Sequence, residues 1–183
     1  MRLFVAIALP DEVRAAFSLL QGGLPGARWV DPISLHLTLR FVGEVGRGEA
    51  ADLDAALSGI RAPAFELAFA GLGTFGSERA QRSVWAGTAA NPALEHLRDK
   101  VESAAVRAGF EAERRKFKPH VTLARLKGTP VDRLSAYLAL HGGVALPGFA
   151  VDAFTLFRSH LGDAGARYEA LADYPLLLPE VGQ

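Results

Sequence analysis

The chain has 183 residues, half of them apolar, and its 20 basic and 20 acidic side chains cancel. That length buries a sizeable interior without metal or disulfide staples, and a neutral total gives the whole molecule no bulk attraction for a polyanion. The absence of cysteine excludes disulfides, thiolate nucleophiles and cysteine-based zinc sites.

The apolar run Leu3 to Leu9 follows a single arginine and stops at Pro10-Asp11-Glu12, so it reads as a buried strand and is too short for a signal peptide. No stretch approaches the roughly 18 uninterrupted apolar residues of a membrane span. A soluble, cytoplasmic protein without membrane association is expected. Asp11 opens a helix with Val13, Ala16, Phe17 and Leu20 at helical spacing, and Gly22-Gly23 closes it. From Ser34 to Val42 the chain alternates, with Leu35, Leu37, Leu39 and Phe41 on one face and Ser34, His36, Thr38 and Arg40 on the other. A helix carrying Leu53, Ala56, Leu57 and Ile60 follows, then strands near Phe65 to Leu72 and Ser83 to Thr88. Asn91-Pro92 caps and opens a helix with Leu94, Leu97, Val101, Ala104 and Ala108 inward, stopped by Gly109. A strand from Phe117 to Leu126 comes next, then a helix announced by Thr129-Pro130 with Val131, Leu134 and Leu138 inward. Strands over Phe149 to Phe157 and Arg167 to Leu171 end the order.

His36-Leu37-Thr38-Leu39 and His120-Val121-Thr122-Leu123 are two copies of His-x-Thr-x, set 84 positions apart. With five histidines and six threonines in the chain, random placement gives about 0.16 such matches. Phe65-Glu66-Leu67 and Phe149-Ala150-Val151 are separated by the same 84 positions, and the order helix, motif strand, helix, strand, strand occurs twice. Consecutive strands without intervening helices call for antiparallel pairing. The expected fold is therefore α+β, with two pseudo-symmetric lobes, each an antiparallel sheet with helices on its outer face, flanking a central cleft. No linker rich in Pro, Gly or Ser separates them, so residues 1–183 read as one domain of two interleaved repeat lobes, and a monomer is expected.

A histidine titrating near neutrality acts as acid or base, and a pair performs both roles in one turnover. A threonine two positions along a strand shares the histidine's face, so its hydroxyl reaches an oxygen of whatever the imidazole attacks. Two of each suit a phosphodiester, with two non-bridging oxygens for the hydroxyls and the attacking and leaving oxygens for the imidazoles. A shared fold needs its apolar face repeated but has no packing reason to repeat the polar one. A metal site fits poorly, because neither motif brings a carboxylate to its own face, and no Gly-x-Ser-x-Gly elbow offers a serine nucleophile. Neither metal nor cofactor is expected. Arg114, Arg115, Lys116, Lys118, Arg125 and Lys127 crowd one stretch without an acid, a local attraction for phosphate. His96, His141 and His160 read as structural. Phe41 and Trp29 are candidates for stacking on a base, although strict alternation gives Phe41 a core position.

These residues identify a resemblance. Arg2-Leu3-Phe4-Val5-Ala6-Ile7, His36 through Gly43 and Phe117 through Arg125 resemble the 2H (two-histidine) phosphoesterases. The likeness is greatest to the bacterial and archaeal RNA 2′,3′-cyclic phosphodiesterases, once described as 2′-5′ RNA ligases. The resemblance implies a metal-independent hydrolase that opens 2′,3′-cyclic phosphates on RNA ends or nucleotides to 2′-phosphomonoesters. It implies His36 as proton donor, His120 as proton acceptor, and Thr38, Thr122 and Arg125 as phosphate-binding residues. Strict alternation puts Arg125 on the face opposite His120, so a bulge or the strand end must re-aim it, or Arg40 does that work. Arg40, Phe41 and Lys118 are further candidates for contact with substrate. Joining of 2′-5′ linkages, opening of cyclic phosphates on ADP-ribose, and non-catalytic binding of RNA ends are the alternative readings.

Overall fold

In a computed structural model the described residues are 1–162 and 165–179. The elements run β1 (Arg2–Ala8), α1 (Asp11–Ser18), β2 (Ala27–Trp29), a 3-10 turn (Pro32–Ser34), β3 (His36–Glu44), α2 (Arg47–Ser58), β4 (Phe65–Leu67), β5 (Phe69–Ser77) and β6 (Ala80–Thr88). The second half adds α3 (Pro92–Arg107), β7 (His120–Leu126), α4 (Val131–His141), β8 (Phe149–Val151), β9 (Ala153–Gly162) and β10 (Gly165–Pro175). This is the α+β class the strand order implied, and every pairing between named strands is antiparallel.

The strands follow the order β10-β9-β1-β3-β7-β6-β5, with β2 on β7. Each side of this path mixes both halves of the sequence: β9 and β10 flank β1 and β3, while β7 sits beside β2 and β6. The two sides meet at one residue pair, Leu37 with Val121, so β3 and β7 diverge from that point and leave a cleft between them. Helices cover the opposite face. Helix α3 packs on β3 and on α2, and α4 packs on β5. Leu37, Leu53, Leu57, Leu94, Leu97, Val101, Val121 and Leu123 are fully buried between sheet and helices, an apolar layer of the kind that supplies most of the folding drive. The cap expected at Asn91 is present, its side chain accepting from Leu94 N at 3.1 Å, with Pro92 opening α3.

Two sequence expectations need correction. The single strands expected over Phe65 to Leu72 and Phe149 to Phe157 are each broken, because β4 and β8 leave the large sheet to pair with each other. The motif strands start later than the alternation suggested. Pro119 has no N–H to donate to a ladder, so β7 begins at His120, and Pro32 to Ser34 form a turn capped by Asp31. Strand β2, too short to show a period, carried no sequence signal.

Candidate active site

Strand β3 places His36 and Thr38 on the face away from the helices, half-buried, while Leu37 and Leu39 are buried beneath them. Strand β7 repeats the arrangement with His120 and Thr122 above Val121 and Leu123. Each strand then breaks its alternation at the same point. Opposite β1, Val5 faces Arg40 and Ala6 faces Thr38, so Leu39 is an extra residue. Opposite β6, Val84 faces Ala124 and Trp85 faces Thr122, so Leu123 is extra. A bulge of this kind reverses which face later residues occupy. Arg125 is thereby turned onto the face of His120 and Thr122, and Phe41 onto the face of His36 and Thr38.

The bulge overturns two expectations. Phe41 is not a core residue: it is 57% exposed and lines the cleft. Arg40 does not face the cleft but points inward, only 6% exposed, where its guanidinium pairs with Glu102 at 2.9 Å. It also donates to the Glu111 carbonyl oxygen. Glu102 in turn accepts from Glu113 N at 2.8 Å, so this buried pair ties the loop after α3 to β3. That loop carries Arg115 to the cleft mouth. The Lys118 side chain is exposed and is not among the residues lining the cleft; its carbonyl serves instead to hold His120. Trp29 packs its ring on Tyr137 at 5.7 Å and borders a neighbouring pocket, outside the cleft proper.

The cleft has a volume of about 440 Å³ and holds His36, Thr38, Phe41, His120, Thr122 and Arg125 together. Sequence reasoning missed Arg2, Tyr168 and Ser159, which line it from β1, β10 and β9. Only non-local strand pairing brings them there, and no local pattern marks them. Arg115 lay within the basic run but was not separated from it. Arg2, Arg115 and Arg125 line the cleft without any Asp or Glu among its described residues, so a molecule with no net charge carries a positive groove.

The two imidazoles are held alike. His36 Nδ1 lies 2.7 Å from the Ser34 carbonyl oxygen and His120 Nδ1 lies 2.6 Å from that of Lys118. A carbonyl only accepts, so Nδ1 carries the proton in both rings and Nε2 is left for the cleft. Each ring is wedged by aromatics. Phe4 lies 4.8 Å from His36 and Tyr168 meets it edge-on at 5.1 Å, while Phe75 meets His120 edge-on at 4.8 Å and Trp85 lies at 5.9 Å. Gly73 makes room for that indole, since a Cβ there would fall 2.3 Å from the Trp85 ring. Burial pushes the His36 imidazole below its ordinary value; the Ser34 hydrogen bond opposes this and the charge of His120 lowers it further. Burial likewise lowers His120, against the Lys118 hydrogen bond. Both rings line the same cleft. Among the described residues no group of three or more His, Asp or Glu side chains is placed to hold a metal ion.

The geometry brings two histidines and two threonines to one cleft, and the comparisons give the chain a family. The profile of the LigT like Phosphoesterase family matches two consecutive segments, residues 7–85 and 88–168, and the chain belongs to this family. It is similar to the RNA 2′,3′-cyclic phosphodiesterase of Thermus thermophilus, 38% identical over 96% of this chain and 90% of that protein. It is also similar to the one from Geobacillus stearothermophilus, 36% identical over 95% of this chain, although the match spans only 57% of that relative's length. The crystal structure of E. coli LigT in apo form superposes with a TM-score of 0.78 at 32% identity over 96% of each chain.

Proposed function

We propose that the protein hydrolyses 2′,3′-cyclic phosphates on RNA ends and nucleotides to 2′-phosphomonoesters, through acid and base catalysis by its two histidines. The observation that carries this reading is the pair of identically tethered imidazoles lining one acid-free cleft. His120 Nε2 takes a proton from water as the water oxygen bonds to phosphorus, and His36 Nε2–H delivers a proton to the departing ribose 3′ oxygen as its bond to phosphorus breaks. Thr38 and Thr122 donate to the two non-bridging oxygens, and Arg125 adds a charge-assisted bond as negative charge gathers there. Phe41 offers its exposed face to the base. The named activity of the curated relatives supports the same substrate class.

The working unit in this proposal is one chain in the cytoplasm, residues 1–183 forming one domain of two interleaved lobes, since both histidines come from the same chain. Among the described residues no helix is long and apolar enough to cross a membrane. The test is incubation with adenosine 2′,3′-cyclic phosphate in EDTA, with the product isomer identified by ³¹P NMR. Turnover to the 2′-phosphate is expected. Activity that disappears with EDTA, or a 3′-phosphate product, would overturn the mechanism as assigned.

A further inference from the structure

A second pocket of about 220 Å³ opens directly off the cleft and shares Val30, Ser34, Arg125, Ala166 and Tyr168 with it. Its distinctive residue is Arg28. On the β2/β7 ladder Arg28 stands directly opposite Arg125, and like charges in that relation destabilise a sheet. Among the described residues neither arginine has a carboxylate within ion-pair distance. Asp31, the one carboxylate lining this pocket among the described residues, caps the turn after β2, its Oδ1 accepting from Ile33 N at 3.1 Å. The Arg28 guanidinium reaches across to the start of β10, where Gly165 leaves space for it. A Cβ at Gly165 would fall 2.9 Å from Arg28 Nη2. Two opposed guanidiniums, with no carboxylate partner among the described residues and spanning from one pocket to the next, form a built demand for a second anion beside the first.

Resting on the function proposed above, we infer that Arg28 binds the phosphate on the 5′ oxygen of the terminal nucleoside while its cyclic phosphate lies between the histidines. Arg125 stands between the two anions, which are one nucleotide apart in the substrate. The cleft is thereby matched to an RNA end, or to a 5′-phosphorylated nucleotide, over a bare nucleoside cyclic phosphate. The ring of Trp29, engaged with Tyr137, is not needed for this recognition.

The test compares three substrates by kcat/KM at one fixed ionic strength: adenosine 2′,3′-cyclic phosphate, its 5′-phosphorylated form, and the dinucleotide ApA ending in a 2′,3′-cyclic phosphate. The wild type is expected to favour the second and third over the first by about tenfold or more, the range of a charge-assisted hydrogen bond. Arg28 is exposed, so its replacement leaves the core alone. Arg28→Ala is expected to bring the ratio to about 1, and Arg28→Lys to restore part of it. A wild type without preference, or a preference that survives Arg28→Ala, overturns the inference. Preference for the dinucleotide alone also overturns it, because the neighbouring nucleoside rather than the phosphate is then recognised. Failure to turn over any of the three removes the functional reading itself and the inference with it.

Discussion

Strands β3 and β7 are two versions of one device, and they differ in character at the two positions after the bulge. Both carry His-x-Thr, both tether the histidine to the carbonyl two residues earlier, and both bulge at the residue after the threonine. After the bulge β3 buries Arg40 and exposes Phe41, whereas β7 buries Ala124 and exposes Arg125. The imidazoles are thus held symmetrically, while the residues past the bulges are not: one wall offers an aromatic face and the other a guanidinium. In the proposed reaction a symmetric site alone would accept a cyclic phosphate in either orientation, so this difference is expected to give it a direction.

The largest effect comes from breaking the symmetric part. His36→Ala and His120→Ala are each expected to lower kcat on a cyclic nucleotide by about 10²- to 10⁴-fold. The double variant should fall little further, because groups that act as a unit do not lose activity additively. Steady-state kinetics on the four proteins checks this, and multiplying losses would separate the two roles. The buried difference comes next. Arg40→Ala removes the nearer cation from Glu102, 15% exposed, and leaves it Arg98 at 3.9 Å; it is expected to destabilise by about 3 kcal/mol in denaturant unfolding. The equivalent residue Ala124 has no such partner to lose, and Ala124→Gly should cost only about 1 kcal/mol by comparison.

How much of this was legible in the sequence follows the same divide. Alternation identified His36, Thr38, His120 and Thr122 on polar faces, and the common offset of 84 residues exposed the duplication before any coordinates. Alternation failed just past each threonine, because a bulge is set by pairing with β1 or β6, partners that are distant in sequence. Phe41 and Arg40 consequently exchanged places relative to expectation, while the bulge brought Arg125 to the cleft. Arg2 and Tyr168 were unreadable for a related reason, since β1 lies between β3 and β9 only once the whole sheet has formed.

The exposed difference yields smaller effects. Arg125→Ala is expected to reduce kcat/KM by about 10- to 100-fold, the value of a hydrogen bond to a charged group. Phe41→Ala should cost about fivefold, chiefly in KM, because stacking serves ground state and transition state alike. Equal losses in kcat from both variants would contradict the division of labour between the walls.

The pH dependence sharpens the comparison last. Both histidines are held below their ordinary value, so the acid limb of kcat/KM should lie below pH 6.5. Stability follows with a definite sign. Below the unfolded value the unfolded chain binds protons that the buried rings resist, so stability is fully present above about pH 6.5 and is lost as pH falls through the lowered folded values. His36→Asn should flatten that acid loss, as read from denaturant midpoints between pH 7 and 5.

The central claim is that two imidazoles from different walls grip one phosphorus atom. Orthovanadate with adenosine, whose 2′,3′-diol draws vanadium into the five-coordinate geometry of in-line displacement, addresses it directly through NMR titration of the ring Nε2 signals, assigned with the single histidine variants. His36 and His120 are expected to shift together along one 1:1 isotherm. Signals that move with separate affinities, or a response from one ring alone, would contradict it.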